Sequence, residues 1–293
     1  MKIFDCTLFT DEKIMFSARL NILNKYVDKF IVSEANYTHS GSPKNFNFNI
    51  DDYPKFKDKI IYNKINKLPE FSKADLFSKR TKSIKIISYQ MNKLLTGLAE
   101  ADNNDFIIYS DCDEIPNIAN LNFSFLKKIT IFKQKSFYYK FNLELKTLSW
   151  YGSRGCKKKD LIDFEWLRQI KPKKYKLWRI DTIFKRDKYR NINIIENGGW
   201  HFSQLKTPEE IFKKLSNDEH HDEFEMSGIN LEKIKDMVKN NYILHNHNAD
   251  KKDIKSKWNH HVKLERVSLN EMPEHIYNNS ELYSKWISEQ TTN

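Results

Sequence analysis

The feature that most constrains the fold is a long amphipathic segment followed closely by a short apolar one. Residues 79–99 carry apolar side chains at three- and four-residue spacing, which predicts a helix. The predicted buried face consists of Ile84, Ile87, Met91, Leu94, Leu95 and Leu98. After a polar break at residues 102–105, Phe106–Tyr109 is continuously apolar, as in a strand covered on both faces of a parallel sheet.

The same alternation runs through the first 110 residues. Strands are predicted at residues 2–9, 29–33 and 58–64, and a helix is predicted from Asp11 onwards. The polar segment 35–49 contains a glycine and a proline and is predicted to be a loop. We therefore expect an α/β fold with a mainly parallel central sheet flanked by helices.

The second half of the chain has a different pattern. Residues 137–146 alternate between apolar and polar side chains, which predicts one strand with a wetter face. Thr207 precedes a proline and has Glu210 three residues later, so a capped helix is predicted to start there. Residues 230–239 predict another short helix. With no repeat or linker, we expect residues 1–293 to form a single domain with a β- and loop-rich C-terminal half.

Composition excludes several classes of protein. The seven glycines form neither a dinucleotide-binding turn nor a P-loop. The three cysteines show no Cys-x-x-Cys spacing, which argues against a disulfide scaffold or a cysteine zinc site. No apolar run reaches the roughly 18 residues that cross a bilayer, and the N-terminus has no signal-peptide pattern. We expect a cytoplasmic protein.

The formal net charge is +11. This charge suits an anionic partner such as nucleic acid, a membrane surface or a phosphorylated substrate. It equally suits the coding bias of an AT-rich genome, since the lysines are widely spread and the densest runs are only residues 157–159 and 171–176.

An acidic segment directly follows the apolar strand at Phe106–Tyr109. It reads Ser-Asp-Cys-Asp-Glu-Ile-Pro and carries Asp111, Asp113 and Glu114. Ligands bind at the carboxyl ends of strands in open α/β sheets, and three crowded acids need a cation or protons to neutralise them. Oxygen ligands of this kind suit Mg²⁺ or Mn²⁺, although a solvated acidic turn gives the same pattern. Pro116 excludes an EF-hand, which needs glycine at that position.

A second segment reads Asn-Gly-Gly-Trp-His-Phe-Ser at residues 197–203. The adjacent glycines allow a close approach or a backbone conformation that a Cβ would forbid. Trp200 offers a flat face to a sugar or base, and His201 offers a metal ligand or a hydrogen bond. A tight turn with a core tryptophan is the alternative interpretation.

Other histidines and cations are weaker candidates. Histidines cluster at residues 220–221, 245–247 and 260–261, and their spacing allows a zinc site without specifying one. Lys44, Arg80 and Arg154 are isolated cations near the predicted sheet edge. Each is a candidate for binding a diphosphate and equally an ordinary surface charge.

Taken together, these segments resemble glycosyltransferase family 17, which contains the β-1,4-mannosyl-glycoprotein β-1,4-N-acetylglucosaminyltransferase. The resemblance runs in family order over nearly the whole chain. The matching stretches are residues 4–9 with 11–12, 19–21, 27–32, 34–41 with 43–44, 110–116, 198–203, 221–224 and 272–273.

The resemblance implies a GT-A-type nucleotide-sugar fold, with a nucleotide-binding half at 1–116 and an acceptor-side half at 117–293. It implies an inverting, metal-dependent transfer of a sugar, with GlcNAc expected, from a UDP-sugar to a hydroxyl of a glycan or glycolipid. Asp111 and Asp113 would form the Asp-x-Asp motif, with Asp113 on Mn²⁺ or Mg²⁺ and Asp111 on the ribose or on the metal through water. His201 is the expected third metal ligand, with His221 and His247 as rivals. The donor-binding residues would be Asp5, Glu34, Lys44, Arg80, Asp111, Arg154 and Trp200.

The family's animal members carry a membrane anchor, which this sequence lacks, so we expect a bacterial or viral member. Peripheral contact with a membrane stays open. An inverting transfer needs a carboxylate base near the acceptor. The candidates are Glu223, Glu196, Asp163 and Glu114, with Glu223 first. The alternatives to a transferase are a metal-dependent nuclease or phosphotransferase, and a non-catalytic carbohydrate- or nucleic-acid-binding module.

Overall fold

A computed structural model describes residues 1–173, 175–176, 178, 188–189, 191–216, 221–247, 257–258 and 262–289, without the side chains of residues 221 and 222. His220, His260, His261 and part of the lysine run at 171–176 lie outside the described residues.

The N-terminal half forms parallel strands joined by helical crossovers, as predicted. Its elements are β1 (Ile3–Leu8), α1 (Lys13–Leu23), β2 (Lys29–Ala35), β3 (Ile60–Ile65), α2 (Lys79–Lys93) and β4 (Phe106–Tyr109). These strands are all parallel in the order β3-β2-β1-β4. Their carboxyl ends therefore share one edge of the sheet, and every residue of β4 is buried.

The C-terminal half extends this sheet with strands of both directions. Its elements are β5 (Glu114–Pro116), β6 (Ile129–Tyr138), β7 (Leu143–Lys157), α3 (Phe164–Gln169), β8 (Ile192–Ile195), β9 (Gly199–Ser203), α4 (Pro208–Leu215), α5 (His221–Ser227), α6 (Leu231–Lys239), β10 (Glu265–Arg266) and α7 (Glu274–Asn278). β7 runs antiparallel to β4 and β6, whereas β8 and β9 run parallel to β6. β5 pairs antiparallel with β9, and β10 with β7. The sheet is therefore mixed: the first-half strands pair only in parallel with one another, whereas the second half contains both parallel and antiparallel pairs.

Short 3-10 helices complete the described secondary structure. They are Ile50–Asp52, Pro54–Lys59, Leu94–Leu98, Phe123–Phe125, Lys158–Asp160, Leu269–Glu271 and Ser284–Trp286. None of the described helices is both apolar enough and long enough to cross a membrane.

The core lies on both faces of the sheet. One face packs against α1 and α7, through residues such as Phe16 and Ile276. The opposite face packs against α2 and α3, through residues such as Met91 and Leu167. Because neighbouring residues of a strand point to opposite faces, the continuous apolar run of β4 supplies both layers. A further cluster joins α4, α5 and α6 to the start of β7.

The predicted helix at 79–99 differs from the structure at its C-terminal end and in part of its buried face. α2 ends at Lys93, and Leu94–Leu98 continues as a tighter 3-10 helix. Ile86 is buried, whereas Ile84 and Leu95 are exposed. The tighter winding has three residues per turn, which accounts for the exposure of Leu95. Ile84 and Ile86 lie within α2 itself, where Ile86 takes the buried position.

The single strand predicted at 137–146 was wrong. β6 ends at Tyr138, and Tyr139 has a left-handed backbone with φ of 63°. The Tyr139 amide donates to the Ser203 carbonyl at 3.1 Å, and its hydroxyl donates to the Tyr242 carbonyl at 3.0 Å. These bonds hold a chain reversal within an alternating pattern, so that β7 starts only at Leu143.

The two predicted helix starts in the C-terminal half are confirmed. Thr207 and Glu210 form the reciprocal capping box that begins α4, and the Asn230 side chain caps α6 by accepting from the Lys233 amide at 2.9 Å. Polar side chains at these positions satisfy amides that lack a partner within the helix.

Candidate active site

The acidic segment lies at the carboxyl edge of the parallel strands, as predicted. It leaves β4, turns through residues 110–113 and enters β5. The Glu114 amide closes the turn by donating to the Asp111 carbonyl at 3.0 Å. Arg19 donates from beneath to the carbonyls of Glu114 at 2.5 Å and Asp111 at 3.3 Å. The turn therefore has a fixed backbone.

Arg19 and Asp5 form a buried ion pair under this turn. The guanidinium contacts both carboxylate oxygens, at 2.7 Å and 2.5 Å, and neither side chain is more than 1% exposed. Asp5 is thus close to the acidic segment, but both of its oxygens are held by Arg19. Asp5 could therefore affect the binding of a sugar donor only indirectly, through Arg19 and the turn.

Glu114 is held by a second arginine. Arg168, on α3, donates to Oε1 at 2.8 Å and to Oε2 at 3.0 Å. The Trp150 indole donates to Oε1 at 2.7 Å, and the Asp111 amide donates to Oε2 at 3.1 Å. Burial alone would raise the pKa of Glu114, but Arg168, His201 and these hydrogen bonds lower it to about 2. Glu114 is therefore a buried, ionised anchor.

Asp111 shares the same guanidinium and faces solvent. Its Oδ2 accepts from Arg168 at 2.6 Å, and its Oδ1 accepts from the Tyr109 hydroxyl at 3.0 Å. The Asp111 side chain is 44% exposed, whereas that of Glu114 is fully buried. Arg168 therefore bridges a carboxylate inside the protein to one at the surface.

Gly152, on β7, allows this cluster to pack closely. A Cβ at this position would lie 2.2 Å from Gln134 Oε1 and 2.6 Å from the Glu114 carboxyl carbon. Its carbonyl accepts from Arg154 at 2.8 Å and from Arg168 at 2.9 Å. Only glycine brings the backbone and both guanidinium groups together here.

Asp113 lies beside His201, on β9. Asp113 Oδ2 is 3.8 Å from His201 Nε2, and the His201 ring stacks on Trp150 with centroids 4.5 Å apart. Burial, with a contribution from Glu114 and against the charge of Lys214, raises the pKa of Asp113 to about 6. Burial lowers the pKa of His201 to about 4, against the nearby carboxylates, so the imidazole is neutral near pH 7.

His201 carries a buried nitrogen with unmet bonding capacity. Its Nδ1 has no hydrogen-bond partner among the described residues. His247 is close by, because its ring contacts Trp150 and its Nε2 contacts the Tyr138 hydroxyl. Burial, reinforced by His201 and Lys257, lowers the pKa of His247 to about 4. The structure thus brings two neutral histidines to the acidic edge; of the third candidate, His221, only the backbone is described.

The paired glycines position β9. A Cβ on Gly199 would lie 2.1 Å from the Ile115 carbonyl, and one on Gly198 would lie 2.6 Å from the Lys133 amide. The predicted close approach is therefore present. Trp200 points away from His201, since its indole donates to the Glu271 carbonyl at 2.9 Å. The structure does not bring the Trp200 ring to the acids; the aromatic side chain there is Trp150.

Glu34 and Lys44 are brought together, with Lys44 Nζ 2.5 Å from Glu34 Oε1. Glu34 also accepts from the Asn47 amide at 2.7 Å, the Phe48 amide at 3.0 Å and the Tyr62 hydroxyl at 2.9 Å. These contacts shape the loop after β2, also at the carboxyl edge.

Arg154, on β7, is almost completely buried without a carboxylate partner among the described residues. It donates to the carbonyls of Gly152 at 2.8 Å and Ile170 at 3.3 Å. Burial and repulsion from Arg168 lower the pKa of Arg154 to about 9. Two crowded cations at one edge create a field that favours an anion.

Of the base candidates other than Glu114, Glu223 is the one linked to this cluster. It contacts Lys257 and lies 3.4 Å from Arg80, and Lys257 acts electrostatically on His247. Asp163 instead caps α3 by accepting from the Trp166 amide at 2.7 Å. Glu196 is exposed and pairs with Lys133 at 2.7 Å.

The side chains of this cluster offer few free ligand atoms for the predicted metal ion. Among the described residues, no three His, Cys, Asp or Glu side chains are arranged to hold a metal. Asp113 and His201 present one oxygen and one nitrogen on the same side, and Asp111 is engaged by Arg168 and Tyr109. Mg²⁺ sites often use one or two protein carboxylates and complete the shell with waters and substrate phosphates. The residues therefore fit a cation that the substrate helps to bind.

A comparison with protein families decides the relationship. The model of glycosyltransferase family 17 matches residues 1–287. The chain belongs to glycosyltransferase family 17. Membership supports a glycosyl transfer activity, with a sugar donor and a sugar acceptor as partners. A search of the curated proteins found none that matches this chain.

Sequence reasoning missed Arg168 and Trp150 in this family 17 protein. Both reach the acids from β7 and α3, 36 to 57 residues further along the chain. The weak signal for Arg168 was a cation that directly follows the apolar pair Trp166-Leu167 in a short capped helix. For Trp150, the signal was its position two residues before Gly152.

Proposed function

We propose that this protein is an inverting, metal-dependent glycosyltransferase that moves GlcNAc from UDP-GlcNAc to a hydroxyl group of a glycan or glycolipid. The observation that carries the proposal is the mixed-charge cluster at the carboxyl edge. The side chains of Asp111 and Asp113 are 44% and 19% exposed there, beside Arg168 and the guanidinium of Arg154, which has no carboxylate partner among the described residues. A nucleotide diphosphate needs cations on its phosphates, and carboxylates suit a metal or ribose hydroxyls.

The two arginines are proposed to bind the diphosphate. Arg154 has only backbone carbonyls as described partners, and Arg168 is 21% exposed beside it. Cations fixed by packing stabilise the charge that develops on departing UDP without rearranging during the reaction. Glu114 holds Arg168 in place, so we assign Glu114 a positioning role in preference to the catalytic one.

Asp113 and His201 are the proposed ligands of Mn²⁺ or Mg²⁺, with Asp111 as a further ligand through water or a partner for the ribose. When bound, the cation would neutralise diphosphate charge as a Lewis acid. The His201 imidazole is already neutral near pH 7, which is the form that binds metals. Trp150 stacks on the ring and fixes its orientation.

Glu223 is the proposed base for the acceptor hydroxyl. Its carboxylate contacts Lys257 and lies 3.4 Å from Arg80, and an acceptor hydroxyl can give its proton to a carboxylate base. Glu223 is connected to the His247 part of the cluster through Lys257.

The first experiment measures thermal stability with UDP, GDP, CMP or UDP-GlcNAc, each with Mn²⁺ or with EDTA. Binding to the native state raises the melting temperature by mass action. We expect a rise with UDP ligands that needs the metal. Absence of any nucleotide effect, together with stabilisation by oligonucleotides, would overturn the proposal in favour of a nucleic-acid enzyme or binding module.

The second experiment compares Asp113→Asn with Asp51→Asn, an exposed control in a 3-10 helix. We expect Asp113→Asn to fold normally and to lose metal-dependent sugar transfer by about 10²-fold or more, since a charge-stabilising contact is removed. The control should transfer at the wild-type rate. Full turnover by Asp113→Asn would contradict the metal assignment.

A further inference from the structure

An apolar tip at the carboxyl edge of the sheet is not used by the proposed reaction. Leu76 and Phe77 precede α2 and are 56% and 88% exposed. Single exposed apolar side chains are ordinary, but adjacent ones that form a patch mark an interaction surface. Ile84, on α2, and Met226, on α5, are also exposed.

An ion pair links the two helices that carry these side chains. Arg80 lies between the tip and Ile84 on α2, and it pairs with Glu223 of α5 at 3.4 Å. Met226 lies three residues after Glu223 and so shares its helix face. We call Leu76, Phe77, Ile84 and Met226 the apolar tip surface.

The tip has a defined backbone. The Asp75 carboxylate accepts from the Ser72 amide at 2.8 Å and from its hydroxyl at 2.7 Å. On the other side, Ser78 and Thr81 form a capping box at the start of α2. Leu76 and Phe77 are thus presented to solvent between a hydrogen-bonded turn and a capped helix.

Basic residues surround the tip. Residues 67–85 contain six lysines or arginines and only two acids. Lys73 lies three residues before Leu76, Lys79 lies two residues after Phe77, and both lysines are exposed. Apolar side chains beside a basic cluster suit an anionic lipid surface, where the rings enter the headgroup boundary and the lysines meet lipid charge.

We propose that the apolar tip surface and its lysines dock the protein on anionic lipid membranes. A nucleic acid would use the lysines but would leave the adjacent leucine and phenylalanine without a role, so the apolar pair favours lipid. The docking does not depend on the proposed function. It would present the carboxyl edge of the sheet to the membrane, because α2 starts at that edge.

The test is cosedimentation of the whole protein with vesicles of phosphatidylcholine, alone or with about a third phosphatidylglycerol. No nucleotide or metal is added, so the result is separate from that of the donor experiments. We expect binding to the anionic vesicles only, weakened by salt. Leu76→Ser/Phe77→Ser should lower partitioning at least tenfold through lost apolar burial. Lys73→Gln/Lys79→Gln should lower partitioning about 25-fold, since each basic residue contributes roughly fivefold.

A matched control lies at the opposite edge. Phe125 is 82% exposed and is followed by Lys127 and Lys128, while the adjacent Phe123 ring packs on Phe106 at the first residue of β4. Phe125→Ser and Lys127→Gln/Lys128→Gln should bind vesicles like the wild type, and all variants should keep the wild-type melting temperature.

Three outcomes would overturn the proposal. The first is that the wild type does not bind anionic vesicles at low salt. The second is that Leu76→Ser/Phe77→Ser binds them as well as the wild type does. The third is that only the control variants, Phe125→Ser and Lys127→Gln/Lys128→Gln, lose binding. A wild-type dimer that Phe77→Ser converts to a monomer, with no vesicle binding, would instead assign this surface to a second copy of the chain.

Discussion

The Asp5–Arg19 and Glu114–Arg168 ion pairs lie at the same edge of the sheet but differ in their access to solvent. Asp5 and Arg19 are both buried inside the protein, and among the described residues Arg19 otherwise donates only to backbone carbonyls. Arg168 is partly exposed and also reaches the accessible Asp111. A carboxylate–guanidinium pair is therefore not functional in itself: the sealed pair fixes the backbone, while the open pair can exchange a partner for a ligand.

The largest effect is expected where the sealed pair is broken. Arg19→Met leaves Asp5 buried and unpaired and should lower the free energy of unfolding by about 3–5 kcal/mol. Urea unfolding measures this change. Asp5→Asn/Arg19→Met removes both charges and should recover a large part of it. A loss below about 1 kcal/mol in Arg19→Met would mean that the pair does not hold the turn.

The corresponding change in the open pair should act on binding more than on folding. Arg168→Met should cost about 1–3 kcal/mol of stability, because Trp150 and the Asp111 amide still bind Glu114. It should also lower sugar transfer about 10²-fold by removing the proposed diphosphate contact. Glu114→Gln/Arg168→Met should regain stability but not transfer. Recovery of transfer in that double variant would assign Arg168 a purely structural role.

The pH dependence of stability distinguishes the two ion pairs further. His201 and Asp113, which lie beside the open pair, have pKa values within an accessible pH range. The pKa of His201 falls from its usual 6.5 to about 4 on folding, so the unfolded chain takes up a proton between these values and the folded chain does not. The stability that His201 contributes is therefore complete above pH 6.5 and lost as the pH falls to 4, by an amount on the order of 2–3 kcal/mol.

The variant that isolates this contribution is His201→Gln. Asp113, whose pKa is raised to about 6, takes up a proton in the folded state over much of the same range and opposes the histidine. The free energy of unfolding is measured with urea at pH 7.5 and 4.5 for the wild type and for His201→Gln. Subtracting one protein's pH dependence from the other's cancels much of the contribution of Asp113. Equal pH dependence in both proteins would show that His201 is not buried in its neutral form.

The smallest effect is expected at an exposed pair. Glu196→Gln removes the contact with Lys133 and should change stability by less than about 0.5 kcal/mol. Sugar transfer should be unchanged, whereas Glu223→Gln should reduce it. A strong loss of transfer in Glu196→Gln would exchange the two residues in the proposed mechanism.

The sequence predicted the parts of this fold that local patterns control. The strand Phe106–Tyr109, the acidic turn after it, the close approach at Gly198-Gly199 and the caps at Thr207 and Asn230 were all predictable. Each depends on residues that are neighbours in the chain. The alternation at 137–146 led to the wrong prediction of a single strand. The left-handed conformation of Tyr139 is stabilised by Ser203 and Tyr242, which lie far away in sequence.

The partners of the acids were beyond local reasoning. Which arginine neutralises Glu114 depends on where β7 and α3 pack, and the isolated cations singled out from the sequence were Lys44, Arg80 and Arg154, as candidates for binding a diphosphate. Trp200 was preferred because it adjoins the glycines, but strand alternation turns it to the other face. The metal, the donor and the base stay predictions.

The distance along the chain between Glu114 and Arg168 has a consequence for synthesis. The guanidinium lies 54 residues after the carboxylate, so at roughly 5–20 residues per second it leaves the ribosome about 3–11 s later. During that interval the parallel strands can form, but Glu114 must stay hydrated. The nascent chain therefore acquires its sheet edge before its candidate active site, and the arrival of α3 completes the charged cluster there.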